Sequence, residues 1–596
     1  MSAVREREEI DRAYRWDLDS VYESEAAWED AYETVEERIE SLADREGEPI
    51  DDGEDLLSLL ELRDEVSRRV ETVTAYARMR SDQDTRDQSA QAMADRGRSL
   101  STRASSAASF VEPAIQSLSR ERVEEMIEAT DGLERYEHYL DDVLRMKPHT
   151  RSAEVEELLS EFSEVLGAPQ ETYSMLLDAD VTFPTVERPD GEAVEITQSN
   201  LTTLLKHEDR AFRQRVYEAF YDELDAYRNA VGATLRNSVK TDVKQARARR
   251  YETAREAALD GPNVPVDVYD ALVDTVREHL DVLHRHVDLK ADALGVEEPA
   301  MWDLYAPITG TESPTVEYET ACEHVVDAVA PLGGDYQDRV AEGLDSRWVD
   351  VYENRGKRSG AYSSGTYDTQ PFILMNYQDD VSSMFTLAHE LGHSIHSQLA
   401  SEAQPYVYGD YDIFTAEVAS TVNEALLTEH LLENADDEAL RRHVLDQYLE
   451  RFRSTLFRQT MFADFEHQIH ELAEAGEPLT PDRLDDAYGD LKREFYAPAR
   501  ADDRIDREWM RIPHFYYNYY VYQYSTGLSA AVAVVDRIRQ AGRSAAEDYL
   551  GALRMGGSDY PLSILDRAGV DMTTPAPVEA AIAEYDDALD EMADLV

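Results

Sequence analysis

The sequence is poor in cysteine and has no long apolar run. Its 596 residues include one cysteine, Cys322, so no intramolecular disulfide can form, which indicates a reducing compartment. No apolar stretch approaches the roughly 20 residues of a membrane span, and the first residues show no apolar core of signal-peptide length. From these absences we expect a cytoplasmic protein that does not associate with a membrane.

Basic residues are also scarce. Lys and Arg total 59 against 125 Asp and Glu, a formal net charge of −66 that is spread along the whole chain. Such a charge argues against binding to nucleic acid or to an anionic membrane. It resembles the composition of proteins from salt-accumulating halophiles, because molar salt shortens the screening length to about 3 Å and relieves the self-repulsion.

Glycine and proline are rare inside the long charged segments, for example residues 152–167 and 209–250, whose apolar periodicity predicts amphipathic helices. We therefore expect a mainly α protein, and a chain of this length predicts at least two lobes. Alternation of apolar and polar residues around a Pro-Asp-Gly turn predicts a β-hairpin near residues 180–196. In residues 356–377, small and turn residues precede the apolar run "FILMNY", which predicts a small sheet. We place a domain boundary after the hairpin, giving an N-terminal helical region over 1–200 and a catalytic region over 201–596.

The motif H-E-x-x-H occurs as His389, Glu390 and His393. On a helix, residues four apart share a face, so both imidazoles can reach one zinc ion while Glu390 addresses a water molecule. Apolar residues recur around the motif at intervals of three and four, and Asp380 or Ser382 is suited to cap the helix. The sequence therefore predicts a metal-binding helix, with Glu390 as a general base.

A second predicted helix downstream is apolar except for a stripe that contains Glu417 and Glu424. A carboxylate on such a helix is costly to bury unless it is paired or binds a cation. We favour Glu417 as the third metal ligand and Glu424 as an acceptor that orients an imidazole. An ordinary ion pair is an equal alternative for Glu424, and His396 is expected to have a structural or substrate-facing role.

The chain resembles the oligoendopeptidase F group of zinc metallopeptidases, which are relatives of thimet oligopeptidase. The resemblance extends over nearly the whole chain, in the order of that group. The matching segments are "YRWDLDSVY", "KPHTRSAEVEELL", "GKRSGAYSSGTYDTQPFILMNY", "FTLAHELGHSIHS", "AEVASTVNEALL" and "HFYYNYYVYQYSTG".

This resemblance implies a two-lobed helical fold of the zincin type, with a deep substrate channel and a small β-sheet beside the active site. It implies one Zn²⁺ held by His389, His393 and Glu417, and hydrolysis of internal bonds in short oligopeptides by attack of a zinc-bound water with help from Glu390. In the segment beginning at His514, the resemblance implies that the histidine and a tyrosine stabilise the oxyanion.

Matching the tyrosine pattern favours Tyr522, whereas counting forward from His514 favours Tyr519. The two would share a face if the helix were continuous. A metallo-exopeptidase or dipeptidase remains an alternative, as does a helical peptide-binding protein without catalysis. The sequence does not indicate the oligomeric state.

Overall fold

The computed structural model describes residues 4–310, 313–434 and 438–596. It is mainly helical, as predicted. The first six α-helices are α1 Glu25–Ala43, α2 Gly53–Gln83, α3 Gln88–Ala108, α4 Val111–Ser117, α5 Arg120–Ala129 and α6 Glu137–Arg145. The next eight are α7 Ala153–Leu166, α8 Ala168–Met175, α9 Leu201–Leu205, α10 Arg210–Asp225, α11 Arg228–Ala248, α12 Ala254–Asp260, α13 Val266–Glu278 and α14 Leu280–Leu294.

The remaining helices include the two that carry the predicted metal ligands, α17 and α18. They are α15 Tyr318–Ala328, α16 Gly334–Asp345, α17 Val381–Ala403, α18 Ile413–Asn434, α19 Glu438–Arg451, α20 Arg458–Glu474, α21 Pro481–Phe495, α22 Tyr522–Ala541, α23 Arg543–Leu553, α24 Pro561–Arg567 and α25 Ala576–Leu595.

Two small sheets interrupt the helices. The predicted hairpin is formed by β1, Thr185–Glu187, and β2, Ala193–Glu195, which pair antiparallel. The second sheet contains β3 Val349–Tyr352, β4 Tyr362–Ser364 and β5 Phe372–Tyr377 in the order β3-β5-β4. Strand β5 pairs parallel with β3 and antiparallel with β4. The sheet predicted within 356–377 is therefore present and gains β3 as a third strand, leaving β4 at an edge.

The described chain divides into two compact units, each assembled from three segments. The first consists of the described residues within 1–148, 315–430 and 537–569, and the second of the described residues within 149–314, 431–536 and 570–596. The boundary that we placed at residue 200 separates two continuous regions of the sequence, whereas each unit contains three separate segments. As a domain boundary it stays a prediction.

The core of the first unit joins its helices to its sheet. Buried residues of α1 to α6 form one apolar cluster that includes Phe372 and Leu374 of β5. Trp28, which is 1% exposed, donates its indole N–H to the Val73 carbonyl over 2.9 Å, so α1 is tied to α2. Strand β5 in turn contacts α17. The apolar core thus supports the helix that carries the H-E-x-x-H motif.

The second unit buries charge as well as apolar surface. Glu508 is fully buried and accepts from Lys492 at 2.5 Å, from Arg458 at 2.7 Å and from the Tyr488 hydroxyl at 2.7 Å. These cations hold the pKa of Glu508 well below its usual range although burial opposes this. Paired and hydrogen-bonded in this way, the carboxylate is accommodated inside the unit.

Among the residues that the structure describes, no helix combines the length and the apolar character needed to cross a membrane.

Candidate metal centre and active site

Helix α17 places the motif as the sequence predicts. Its N-cap is Asp380, whose carboxylate accepts from the Ser383 backbone N–H over 2.8 Å. The helix extends to Ala403 without interruption, so His389 and His393 lie one turn apart on the same face. Their Nε2 atoms are 3.1 Å apart. The two imidazoles are therefore directed at one point.

Glu417, on the first turns of α18, completes a set of three donors. Its Oε2 lies 3.8 Å from His389 Nε2, and the ligand atoms of His389, His393 and Glu417 all lie within 4.8 Å of one another. In the described parts of the chain this is the one group of three such side chains close enough to hold a metal ion. Two imidazoles and one carboxylate match the donor set of catalytic zinc sites, which leave a position open for water or substrate.

Glu424 fixes the orientation of the first imidazole. It is 5% exposed, and its Oε1 lies 2.5 Å from His389 Nδ1. A carboxylate at that nitrogen retains the proton on Nδ1 and leaves the lone pair of Nε2 free for a metal. Burial lowers the pKa of His393 to about 3, so this imidazole is also neutral and able to bind a cation.

Gly392 allows α17 and α18 to approach closely. A Cβ atom at this position would lie 2.6 Å from Ser420 Cα and 2.7 Å from the Ala419 carbonyl oxygen. Asn423 adds a tie between the same helices, because its side-chain amide donates to the Ala388 carbonyl over 3.2 Å. The short distance between Glu417 and the two histidines therefore requires a glycine at position 392, inside the H-E-x-x-H motif.

Glu390 lies next to the ligand His389 and is largely buried. It is 7% exposed, and burial has the largest effect on the pKa of its carboxyl group, whereas the charge of His389 and the nearby Ser363 backbone N–H of β4 act in the opposite direction. Burial outweighs these effects and raises the pKa of Glu390 above its usual value. A carboxylate whose pKa is raised is a stronger base, which suits a group that accepts and returns a proton.

His396 is buried and packs against another ring. It is 1% exposed, and its ring stacks on Tyr411 with centroids 3.6 Å apart. Tyr411 is placed by Ser397 Oγ, 2.8 Å from its hydroxyl, and lines the cleft beside His393. His396 thus supports a wall residue and is not one of the three convergent donors.

A cleft of about 1400 Å³ within the first unit opens onto the metal centre. One face of α2, residues 363–371 from the edge strand onward, and parts of α17 and α18 form its walls, and His393 and Glu417 are among the lining residues. The cleft is large enough for several residues of an extended peptide.

The tyrosine-rich segment belongs to the second unit, and the structure divides five of its six tyrosines into two sets. His514 lies in a short 3₁₀-helix, Pro513–Tyr516. Its ring is close to Tyr517, Tyr520 and Tyr524, and the Tyr524 hydroxyl is 3.5 Å from His514 Nε2. Tyr517 is 44% exposed, and Tyr520 and Tyr524 are partly exposed. Burial, and to a smaller extent the charge of Arg458, lower the pKa of His514, which favours a neutral ring.

Tyr519 and Tyr522 are instead 2% and 1% exposed and pack against Tyr269. They do not share a helix face, because α22 begins only at Tyr522 and the backbone of Asn518 and Tyr519 has positive φ. Buried Glu466 holds this turn by accepting the Tyr519 N–H over 2.7 Å. Their assignment as oxyanion donors stays a prediction.

Two side chains near the predicted site residues have no marked signal in the sequence, because only tertiary contacts place them. They are Tyr411, whose hydroxyl lies near the His393 carbonyl, and Tyr524, whose hydroxyl lies near His514. The close helix approach at Gly392 has a weak signal, since glycine inside a helix costs stability and so suggests a spatial constraint.

Known proteins are similar to this chain over almost its whole length. A model of peptidase family M3 matches residues 203–584, and a model of the oligopeptidase F N-terminal region matches residues 115–183. The chain belongs to peptidase family M3. This M3 peptidase is 44% identical over 592 residues to oligopeptidase PepF of Bacillus subtilis, covering 99% of this chain and 88% of that protein.

This M3 peptidase is also 39% identical to group B oligopeptidase PepB of Streptococcus agalactiae, covering 99% and 98% of the two chains. Among solved structures, oligoendopeptidase-F from Enterococcus faecium superposes with a TM-score of 0.73 at 36% identity, covering 95% of this chain and 98% of that one. The resemblance to the oligoendopeptidase F group and the predicted fold class are confirmed. The protein is a peptidase of a metallopeptidase family.

Proposed function

We propose that this M3 peptidase is a zinc-dependent endopeptidase that hydrolyses internal bonds of short oligopeptides. The observation that carries the proposal is the convergence of His389, His393 and Glu417 beside Glu390 at the cleft. The names of its relatives, oligopeptidase and oligoendopeptidase, support oligopeptides as the substrate class.

His389, His393 and Glu417 would hold one zinc ion. Zinc bound by such a set acts as a Lewis acid and lowers the pKa of water to about 7. Imidazole and carboxylate donors suit zinc among the divalent metals, although related ions bind the same types of ligand.

Glu390 supplies the proton transfers. Its carboxylate accepts a proton from the attacking water as the new C–O bond forms at the scissile carbonyl, and it then gives that proton to the leaving amine as the C–N bond breaks.

His514 and a phenol of its segment are proposed as hydrogen-bond donors to the oxyanion. A donor must reach the substrate, so the partly exposed Tyr524 and Tyr520 join Tyr522 and Tyr519 as candidates. One preorganised donor of this kind contributes about 2.7 to 4 kcal/mol in the transition state.

The peptide is proposed to pair with the free edge of β4, residues 362–364. Among the described residues this edge carries no further strand, and Ser363 and Ser364 line the cleft. Main-chain hydrogen bonds would then align peptides of different sequence. Ester replacement of single backbone amides in a peptide should lower cleavage at defined positions, and equal cleavage of every ester analogue would contradict the pairing.

The function is tested with an internally quenched peptide blocked at both ends. Cleavage should disappear on chelation and return with zinc. Glu390→Gln should bind zinc normally, measured by metal analysis, yet lose about 10²- to 10⁴-fold in turnover because only the base is removed. His393→Gln is the matched control, for which we expect loss of zinc together with activity. A Glu390→Gln variant with most of its activity would refute the assigned role.

The same assay separates the alternatives. An exopeptidase or dipeptidase would leave the doubly blocked peptide intact and cleave its unblocked form. A non-catalytic peptide-binding protein would cleave neither form with zinc confirmed in the site.

A further inference from the structure

We infer that Arg78 recognises a carboxylate of the bound peptide, either a side-chain carboxylate or the C-terminal one. This inference rests on the proposed function, and it adds a substrate preference that the metal centre does not explain. Arg78 would be a specificity residue that acts on binding and alignment.

Arg78 lies in the cleft beside the edge strand. It is an exposed residue of α2 that lines the same cleft as His393 and Glu417. Its Nη2 donates to Ser364 Oγ over 2.6 Å, and its guanidinium lies 5.5 Å from the centroid of the Tyr362 ring. Both contacts are with β4, so a peptide extended along this strand would pass the guanidinium.

Arg78 has no carboxylate within 4.0 Å in the described part of the chain, although the protein is strongly acidic. The other arginine that lines the cleft, Arg63, donates to Asp64 over 2.7 Å. Acidic residues near Arg78 along α2 have other partners. Asp82 accepts the Tyr362 hydroxyl over 2.7 Å, and Glu71 accepts the Tyr406 hydroxyl over 2.5 Å.

The Arg78 guanidinium, which has no carboxylate partner among the described residues, is suited to bind a carboxylate of the peptide. With one donor on Ser364, its remaining N–H groups are available for a planar acceptor, and carboxylates match that geometry with two parallel bonds. The peptide substrate would approach a protein of net charge −66, which repels an anionic peptide. The positive charge of Arg78 would offset this repulsion locally. The contact with Ser364 orients the guanidinium relative to the strand edge before a peptide binds.

The test uses two quenched peptides and one series of quenched peptides, all of one core sequence, at a single KCl concentration. The first peptide has an amidated C-terminus and no acidic residue, and the second has a free C-terminal carboxylate. Each peptide of the series is amidated and carries one glutamate, at a different position in each. Arg78→Gln and Arg78→Lys are compared with the parent protein. Arg12→Gln is the matched control, because the Arg12 side chain is 70% exposed and does not line the cleft.

We expect Arg78→Gln to lower kcat/KM about tenfold or more for the carboxylate-bearing peptides that the parent prefers, mainly through KM, and to leave the neutral amide nearly unchanged. Arg78→Lys should recover part of the loss. Selective loss with the free-acid peptide identifies the C-terminal carboxylate, and selective loss with one glutamate position identifies a side chain.

Equal loss on all of these peptides would overturn the inference and assign Arg78 a structural role in holding β4. A parent protein that cleaves all peptides without regard to carboxylates would overturn it as well. Both results leave the endopeptidase proposal intact, whereas a zinc-loaded parent that cleaves none of the peptides would refute that proposal instead.

Discussion

At the scale of single residues, exposure separates the tyrosines that follow His514. Tyr524 is partly exposed with its hydroxyl 3.5 Å from His514 Nε2, whereas Tyr522 is 1% exposed. Because an oxyanion donor must reach the substrate, we expect Tyr524→Phe to lower kcat about 10²-fold with little change in KM. Tyr522→Phe removes the hydroxyl of the buried candidate and is compared with it. A large kcat loss in Tyr522→Phe alone would return the role to Tyr522.

Residues fixed by a local rule could be predicted from the sequence, whereas those fixed by tertiary contacts could not. His389, Glu390 and His393 follow from helical spacing, and Asp380 follows from the cap preference, because both rules operate within one or two turns. The expectation that Tyr519 and Tyr522 share a face assumes a continuous helix. Buried Glu466, about 50 residues earlier, instead holds Tyr519 in a turn with positive φ, and no local pattern reports such a partner.

At the scale of elements, the metal centre depends on the closeness of α17 and α18. We expect Gly392→Ala to move α18, because the new Cβ would meet backbone atoms of Ser420 and Ala419 at under 3 Å. Overpacking of this kind costs about 1 to 3 kcal/mol, and the displacement of Glu417 should weaken zinc binding about tenfold or more. Thermal melting and zinc titration measure the two effects.

Gly551→Ala in α23 is the matched control for this substitution. Its Cβ would first meet the end of the flexible Arg567 side chain at 3.4 Å. We expect unchanged zinc affinity and a slight gain in stability from helix propensity. If Gly392→Ala behaved in the same way, the close approach would have no role in placing Glu417.

Element prediction was most successful where the sequence is periodic. The helices, the hairpin and the sheet before α17 follow from apolar spacing and turn residues, whereas β3 was missed. Strand β3 is only four residues long, so the alternation in Val-Asp-Val-Tyr is too short to indicate a strand, and Asp350 is buried together with Val349 and Val351. Its pairing with β5 across about twenty residues is a parallel contact that local patterns do not encode.

At the scale of the whole molecule, the net charge of −66 remains the dominant feature. We expect the melting temperature to rise between low and multimolar KCl, because screening reduces repulsion that is strongest in the compact state. Sucrose at equal osmolality is the control, since it is excluded from the surface without screening charge. A midpoint that does not respond to KCl, or that responds equally to sucrose, would contradict the halophile interpretation.

The construction of each unit from three separated segments bears on the order in which the protein can be completed during synthesis. Helix α17, with its metal ligands, contacts α23, which leaves the ribosome about 140 residues later. The first unit is complete only when its last segment, residues 537–569, has been synthesised. The second unit is complete only after its last segment, residues 570–596, has followed. The metal-binding helices are therefore made long before the scaffold around them is complete, and no simple truncation yields either unit whole.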